Sequence, residues 1–239
     1  EPVTYRGKTL YFRGSRILDA VLNDLLENRG LRNAERVILA GNSAGGMAVF
    51  RHADHVRSML PSRVQFAALP GSALFVWDPR QIQRAVIRHA TVHGMLDGPD
   101  FPACTRAYPQ DERWKCLLPQ FAVTQVQSPM FVLHSAYDAW VLRNILGIEC
   151  STQSCFNVGW RWRALQLHRY RLWGLMVKLN SRQGAYIPSC TDHFLIQSTS
   201  WNSLNMNGRT PMEAFADWLY GRTTRPREIE SNTSINPAC

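Results

Sequence analysis

Arg36-Val37-Ile38-Leu39-Ala40-Gly41-Asn42-Ser43-Ala44-Gly45-Gly46-Met47-Ala48-Val49-Phe50 is the stretch on which the fold turns. Its first residues form a short apolar run of the kind that makes a buried strand, and its last residues read as a helix start. Between them, Gly41-Asn42-Ser43-Ala44-Gly45 has the form G-x-S-x-G. That pattern is a strand-to-helix turn tight enough to hold a nucleophilic serine out at its tip. A serine kept at a strained φ/ψ on such a bend needs neighbours without Cβ atoms, and Gly41 and Gly45 are expected to be those neighbours. The N–H groups that open the helix, Ala44 first, would point at negative charge developing beside Ser43. A plain surface loop is the competing reading. The strand pattern before the motif and the helix pattern after it favour the elbow.

A serine nucleophile needs a base and an acid, which in the α/β-hydrolase arrangement follow it in the order Ser, Asp or Glu, His. The chain has seven histidines. His52 and His55 fall on the helix just after the elbow, too near in sequence to swing back to its tip. His134 ends the apolar run 130–134 and reads as a packed histidine. His89, His93 and His168 stand among arginines or in loop-like sequence, where a solvated histidine is expected. His193 remains, late in the chain in Ser189-Cys190-Thr191-Asp192-His193. For the acid, Asp138 lies just past the strand 130–134, and catalytic groups of open parallel sheets sit at the carboxyl ends of strands. Asp138 also reads as an N-cap for a helix over 139–146. Asp192 competes as the acid, but its place next to His193 suits it poorly for orienting that ring.

Around this core the chain alternates helical and strand patterns, which predicts an α/β fold, α/β-hydrolase-like, with a mostly parallel sheet flanked by helices. Ile17, Leu18, Val21, Leu22, Leu25 and Leu26 repeat at helical spacing up to Asn28-Arg29-Gly30. Residues 64–69 read as a strand stopped by Pro70-Gly71. Residues 94–120, rich in proline and glycine, read as a long pocket-shaping loop. Helices follow near 160–179 and over 211–220. One domain is expected over 1–222, with 223–239 a polar tail anchored, if at all, by Cys239.

The six cysteines would be idle in a cytosolic hydrolase. Cys104 and Cys116 are expected to staple the 94–120 loop, and Cys150 and Cys155 to close a small one. Cys190 and Cys239 pair with each other or with a partner further upstream. With the sequon Asn232-Thr233-Ser234, the cysteines suggest secretion to the extracellular space or cell wall. The start Glu1-Pro2 does not read as a signal peptide, so the sequence reads as a mature or truncated form. No apolar run approaches the ~20 residues of a membrane span. The excess of 27 basic over 18 acidic residues, +9, favours an anionic partner. Arg161, Arg163, Arg169 and Arg171 alternate with Trp160, Trp162 and Trp173, but at helical spacing they read as packing and a solvated face rather than a nucleic-acid surface.

Several of these segments resemble the pectin acetylesterase/Notum family of secreted serine carboxylesterases. Tyr11-Phe12-Arg13-Gly14-Ser15-Arg16-Ile17 is similar to the plant-type segment before the first long helix. Gly41-Asn42-Ser43-Ala44-Gly45-Gly46 is similar to the elbow, with Asn42 where Cys or Ser is more usual. Ala136-Tyr137-Asp138-Ala139-Trp140 with Asn144-Ile145-Leu146, and Ser189-Cys190-Thr191-Asp192-His193, resemble the segments bearing the catalytic aspartate and histidine. Asn207-Gly208-Arg209-Thr210, Asp217-Trp218 and Asn236-Pro237-Ala238-Cys239 resemble the C-terminal part. The resemblance implies hydrolysis of an O-acyl ester by Ser43, Asp138 and His193, with no metal and no other cofactor. It also implies an upstream glycine-rich segment with a Trp that completes the oxyanion hole. No such segment stands before Tyr11, so Ala44 N–H is the expected donor and the chain reads as N-terminally incomplete relative to the family. The expected substrate is an O-acetylated, anionic cell-wall polysaccharide such as pectin. The alternatives are removal of a fatty acyl group from a secreted protein, helped by an apolar pocket from Phe75, Val76, Trp77, Phe101, Phe121 and Phe131, or a catalytically weak module that binds acidic glycans.

Overall fold

The computed structural model describes residues 2–95, 101–149, 159–230, 234–236 and 239. Cys150, Cys155 and Asn232 of the sequon lie outside the described residues.

Strands β1 (Pro2–Tyr5) and β2 (Lys8–Tyr11) form an antiparallel hairpin. Its two-residue turn, Arg6-Gly7, has φ of 48° and 74°, the positive values that match the twist of hairpin strands. Helix α1 (Gly14–Asn28) is closed by Gly30 at φ 81°, a left-handed position that glycine takes without steric cost. Strand β3 (Arg36–Asn42) leads through Ser43 into α2 (Ala44–Met59), and β4 (Gln65–Gly71) and α3 (Pro79–His93) follow.

Residues 94–120, expected as a loop, are largely helical where described. They hold α4 (Pro102–Ala107), a 3-10 helix (Gln110–Leu117) and the start of α5 (Pro119–Ala122). Pro102 and Pro119 open helices, the one turn where a missing N–H costs nothing. Proline content therefore misled the loop reading. Cys104 and Cys116 are disulfide-bonded, with Cα atoms 5.8 Å apart.

Next come β5 (Met130–Leu133), α6 (Ala139–Asn144), α7 (Gly159–Met176), β6 (Gln183–Ile187), α8 (Ser200–Ser203), α9 (Pro211–Leu219) and β7 (Arg227–Ile229). Strands β3 to β7 form a five-stranded parallel sheet in chain order. Residues 223–239 are therefore not simply a polar tail. Arg227–Ile229 pairs with β6, Glu228 is buried in an ion pair with Arg209, and Cys239 is bonded to Cys190. A three-residue strand is too short to show a period of two in the sequence.

Strand β4 also runs through Pro70 rather than stopping before it. Ala68 N–H donates to Pro129 O (2.9 Å) and Ser72 N–H to Leu133 O (2.7 Å). Pro70 sits between these bonds, at the one place in that ladder where nothing donates.

Both faces of the sheet are covered, as parallel sheets require. Phe66, Ala68, Met130, Val132, Ala185 and Ile187 point into the larger core with α2 and α7, while Leu69, Phe131, Leu133 and Tyr186 pack against α9. The alternation along β4, β5 and β6 is the strand period of two. Each fully buried aliphatic or aromatic side chain here contributes about 1.5–3 kcal/mol. Only β3 leaves this shelter, with Ile38 42% exposed.

Candidate active site

The elbow forms because β3 and β4 end side by side. Ser43 takes φ 57° and ψ −120°, a region that non-glycine residues enter at a cost of about 1–3 kcal/mol. Ser43 N–H donates to Gly71 O at 2.9 Å, which ties the turn to the end of β4. A Cβ on Gly41 would collide with Gly45 O, so Gly41 is needed as the sequence suggests. Gly45 is not, since a Cβ there would meet nothing within 4 Å. The close approach falls one residue later, where a Cβ on Gly46 would lie 2.6 Å from Ala73 Cβ and 2.7 Å from Gly71 O. Ala44 lies in the first turn of α2, where backbone N–H groups have no acceptor within the helix.

Two loops bring the other residues in. The segment after β5 runs alongside the segment after β6. Ala136 N–H donates to Pro188 O (2.8 Å), Tyr137 N–H to Cys190 O (3.0 Å) and Ala139 N–H to Thr191 O (2.9 Å). Ser135 Oγ donates to Asp192 O at 2.6 Å. This ladder, pinned by the Cys190–Cys239 disulfide, sets Asp138 beside His193. His193 Nδ1 is 2.9 and 2.7 Å from the Asp138 carboxylate oxygens, and His193 Nε2 is 2.9 Å from Ser43 Oγ. Asp138 is fully buried, and its Oδ1 also accepts the N–H groups of Trp140 (2.9 Å) and Val141 (3.1 Å) at the start of α6.

Asp192, the competing acid, spends its carboxylate on groups other than the His193 ring. It accepts Phe194 N–H (2.7 Å), Ser198 Oγ (2.6 Å) and Ser200 Oγ (2.7 Å). Burial works to raise its pKa, but the bonds from Ser198, Phe194 and Ser200, with His193 nearby, hold it below the ordinary carboxylate value.

Asn42 is a site residue whose role the sequence concealed. Its Nδ2 donates to His193 O at 3.0 Å, anchoring the backbone of the histidine to the elbow. Nothing local in the sequence could pair two residues 151 positions apart. Phe75, Trp140 and Phe194 ring the histidine, with ring centroids 6.1, 6.2 and 5.1 Å from its own.

Behind Asp138 lie two buried histidines. His134 Nδ1 is 4.0 Å from Asp138 Oδ2, beyond hydrogen-bond reach. Burial above all pushes His134 down to about 4, with Asp138 opposing and His193 assisting. His168, expected to be solvated, is only 2% exposed, and burial with help from His134 and Arg171 pushes it down to about 3. The burial of His168 has a sequence signal. His168 lies three after Leu165 and four before Leu172, on the inward stripe of α7.

An apolar cavity of about 450 Å³ opens beside the elbow. Ala44, next to Ser43 in the chain, lines it together with Met47, Trp77, Ile82, Val86 and Leu117. Of the six residues expected to build such a pocket, only Trp77 lines it. Phe131 faces α9 and Phe101 is in the main core, while Val76 and Phe121 line a different recess. Among the described residues, no three His, Cys, Asp or Glu side chains are grouped as a metal site would need, and no helix is long and apolar enough to cross a membrane.

A family model described as pectinacetylesterase matches residues 2–239. The chain belongs to the pectinacetylesterase family. It is 27% identical to pectin acetylesterase 5 of Arabidopsis thaliana over 98% of this chain and 58% of that protein. It is 28% identical to pectin acetylesterase 11 of the same plant over 96% and 63%. Against the palmitoleoyl-protein carboxylesterase Notum of Schmidtea mediterranea it is 25% identical over 95% and 44%. The chain thus spans about three fifths of the length of the plant relatives. The crystal structure of the Wnt deacylase Notum from Drosophila superposes with a TM-score of 0.80 at 20% identity, over 98% of this chain and 67% of that one. At that identity the match speaks for the fold alone, which is the α/β-hydrolase-like arrangement expected from the elbow.

Proposed function

We propose that this chain is a serine carboxylesterase that removes O-acetyl groups from an anionic cell-wall polysaccharide such as pectin. The observation that carries the reading is the hydrogen-bonded line from Ser43 Oγ through both ring nitrogens of His193 to Asp138. In this mechanism Ser43 Oγ attacks the acyl carbonyl while His193 Nε2 takes its proton. Asp138 fixes the ring and stabilises the imidazolium that forms. The oxyanion develops against Ala44 N–H at the amino end of α2, where the helix dipole favours negative charge. His193 then gives the proton to the departing sugar hydroxyl. Water, deprotonated by the same ring, attacks the acyl-enzyme and releases acetate and free Ser43.

The plant relatives' names support acetyl as the group removed, and the charge of +9 suits a polyanion of galacturonate. The disulfides support an oxidising, extracellular setting.

One observation favours a second reading, removal of a longer acyl chain. The apolar cavity beside Ala44 holds far more than a methyl group, and each CH₂ buried there would contribute about 0.8 kcal/mol. The test is turnover of p-nitrophenyl esters of increasing chain length, together with acetate release from acetylated pectin. Acetyl ester and pectin turnover with no gain for longer chains supports the first reading. Rates rising steadily with chain length support the second. No turnover of any ester would refute both and leave glycan binding without catalysis.

A further inference from the structure

The carboxyl ends of the strands carry Ser43, Asp138 and His193; the amino ends carry a second surface of different character. A groove of about 740 Å³ runs there past the starts of β3, β4, β5 and β6. Arg36, Arg57, Arg63 and Arg182 line it, and no Asp or Glu does. Among the described residues none of these four guanidiniums is within ion-pair distance of a carboxylate. The seven residues of β3 separate Arg36 from Ser43, a span of roughly 20 Å at strand rise. The groove is therefore no part of the catalytic cleft.

Three of the four guanidiniums, those of Arg36, Arg57 and Arg63, are held in place without being neutralised. Arg36 donates to Gln65 Oε1 at 2.6 Å. Arg57 donates to the carbonyls of Leu60, Pro61 and Ser62 at 3.4, 3.3 and 3.2 Å, around the end of α2. Arg63 donates to Arg32 O at 2.5 Å. Neutral acceptors of this kind fix the fork of an arginine and leave its full charge for a ligand. Glu35 lines a separate recess that shares Arg36 and Arg63.

We propose that this groove is a second binding site, which holds a stretch of carboxylate-bearing polysaccharide away from the catalytic serine. Several planar guanidiniums in one groove suit a polymer with a carboxylate on each sugar, since each guanidinium–carboxylate pair can form two parallel hydrogen bonds. The aromatic rings at the groove argue against single-stranded nucleic acid, which needs bare faces for base stacking. Trp218 is packed against Phe131 and Phe215, and the Tyr220 ring is covered by Arg36 and Arg222 at 4.5 and 5.0 Å. The preference for a uronate among polyanions rests on the esterase reading; the charge and geometry of the groove do not.

The experiment titrates the full chain, carrying Ser43→Ala to prevent turnover, with a polygalacturonate decamer by calorimetry at low and physiological salt. The double substitution Arg63→Gln, Arg182→Gln is compared in the same background; both side chains are exposed, and thermal melting checks that the fold is kept. The expected result is salt-sensitive binding that the double variant weakens about tenfold or more, with melting unchanged. Parent-like affinity in the double variant would assign the binding to the catalytic cleft and overturn the proposal. So would absence of binding by the parent, or equal affinity for single-stranded DNA or phosphatidylserine vesicles at the same salt. A parent that binds the decamer while the wild-type chain hydrolyses no ester would sink the esterase reading alone.

Discussion

The carboxylate of Asp138 holds the ring of His193 and the amino end of α6 at once. Its two oxygens lie 2.9 and 2.7 Å from His193 Nδ1, and Oδ1 also accepts the Trp140 and Val141 N–H groups. The helix-cap and acid readings of this residue are therefore not alternatives. Capping locks the side-chain rotamer, and a locked carboxylate keeps the imidazole aimed at Ser43.

Two substitutions separate these duties. Asp138→Asn keeps an oxygen able to cap α6, so stability should fall by less than about 1 kcal/mol. Its amide cannot stabilise an imidazolium or hold the required tautomer, and kcat should drop by on the order of 10⁴. Asp138→Ala should lose the cap as well, at a further cost of about 1 kcal/mol. Steady-state kinetics and urea unfolding on both variants provide the check. Near wild-type turnover by Asp138→Asn would remove Asp138 as the acid.

Asn42 should matter through His193 alone. Asn42→Ala removes the bond to His193 O and should lower kcat by roughly fivefold, the worth of one hydrogen bond of about 1 kcal/mol. KM should stay near the wild-type value, because Asn42 Nδ2 is committed to the histidine backbone rather than to a substrate. A change confined to KM would contradict this assignment.

At the elbow, neighbouring glycines should respond in opposite ways. Gly46→Ala drives a Cβ into Ala73 and the Gly71 carbonyl, with an expected cost of about 1–3 kcal/mol from overpacking. Gly45→Ala meets open space near the start of α2 and should be neutral or stabilising by up to about 1 kcal/mol. Melting temperatures decide this, and equal destabilisation by both would refute the packing account.

The buried histidines set a pH dependence of stability. His134 is held near 4 by burial, against 6.5 for an unburied histidine. Between those values the unfolded chain binds a proton at His134 that the folded chain refuses. Stability should therefore rise with pH through that window and fall on acidification. The shift is worth on the order of 3 kcal/mol at His134, and His168, held lower still, acts in the same direction. The groups facing His134 are Asp138, His193 and His168, and those facing His168 include Arg171. Urea midpoints measured from pH 7 to 4.5 should decline, and His134→Asn should flatten the slope. An unchanged slope in that variant would exclude His134 as the source.

The alternation of strand and helix, the G-x-S-x-G turn and the order of Ser43, Asp138 and His193 were legible in the chain. Each depends on interactions within a few residues: apolar periodicity, a glycine at a tight turn, an acidic residue just past a strand. Proline at the first turn of a helix misled that local reading over residues 94–120. The inward position of His168 is also encoded locally, in its spacing to Leu165 and Leu172, although its arginine neighbours point the other way.

Local pattern thus set most of the helices and strands around the elbow and the residue types available for chemistry, but not the helices within 94–120 or the strand at 227–229. Tertiary structure alone decided that Gly46 rather than Gly45 meets β4, that Asn42 anchors His193, and that residues 227–229 extend the sheet. It alone brought Met47, Val86 and Leu117 around one cavity and four arginines, one of them from the end of α2, around one groove. These relations join residues far apart in the chain. They follow from how the strands stack in register, which fixes distances that no local pattern of residues encodes.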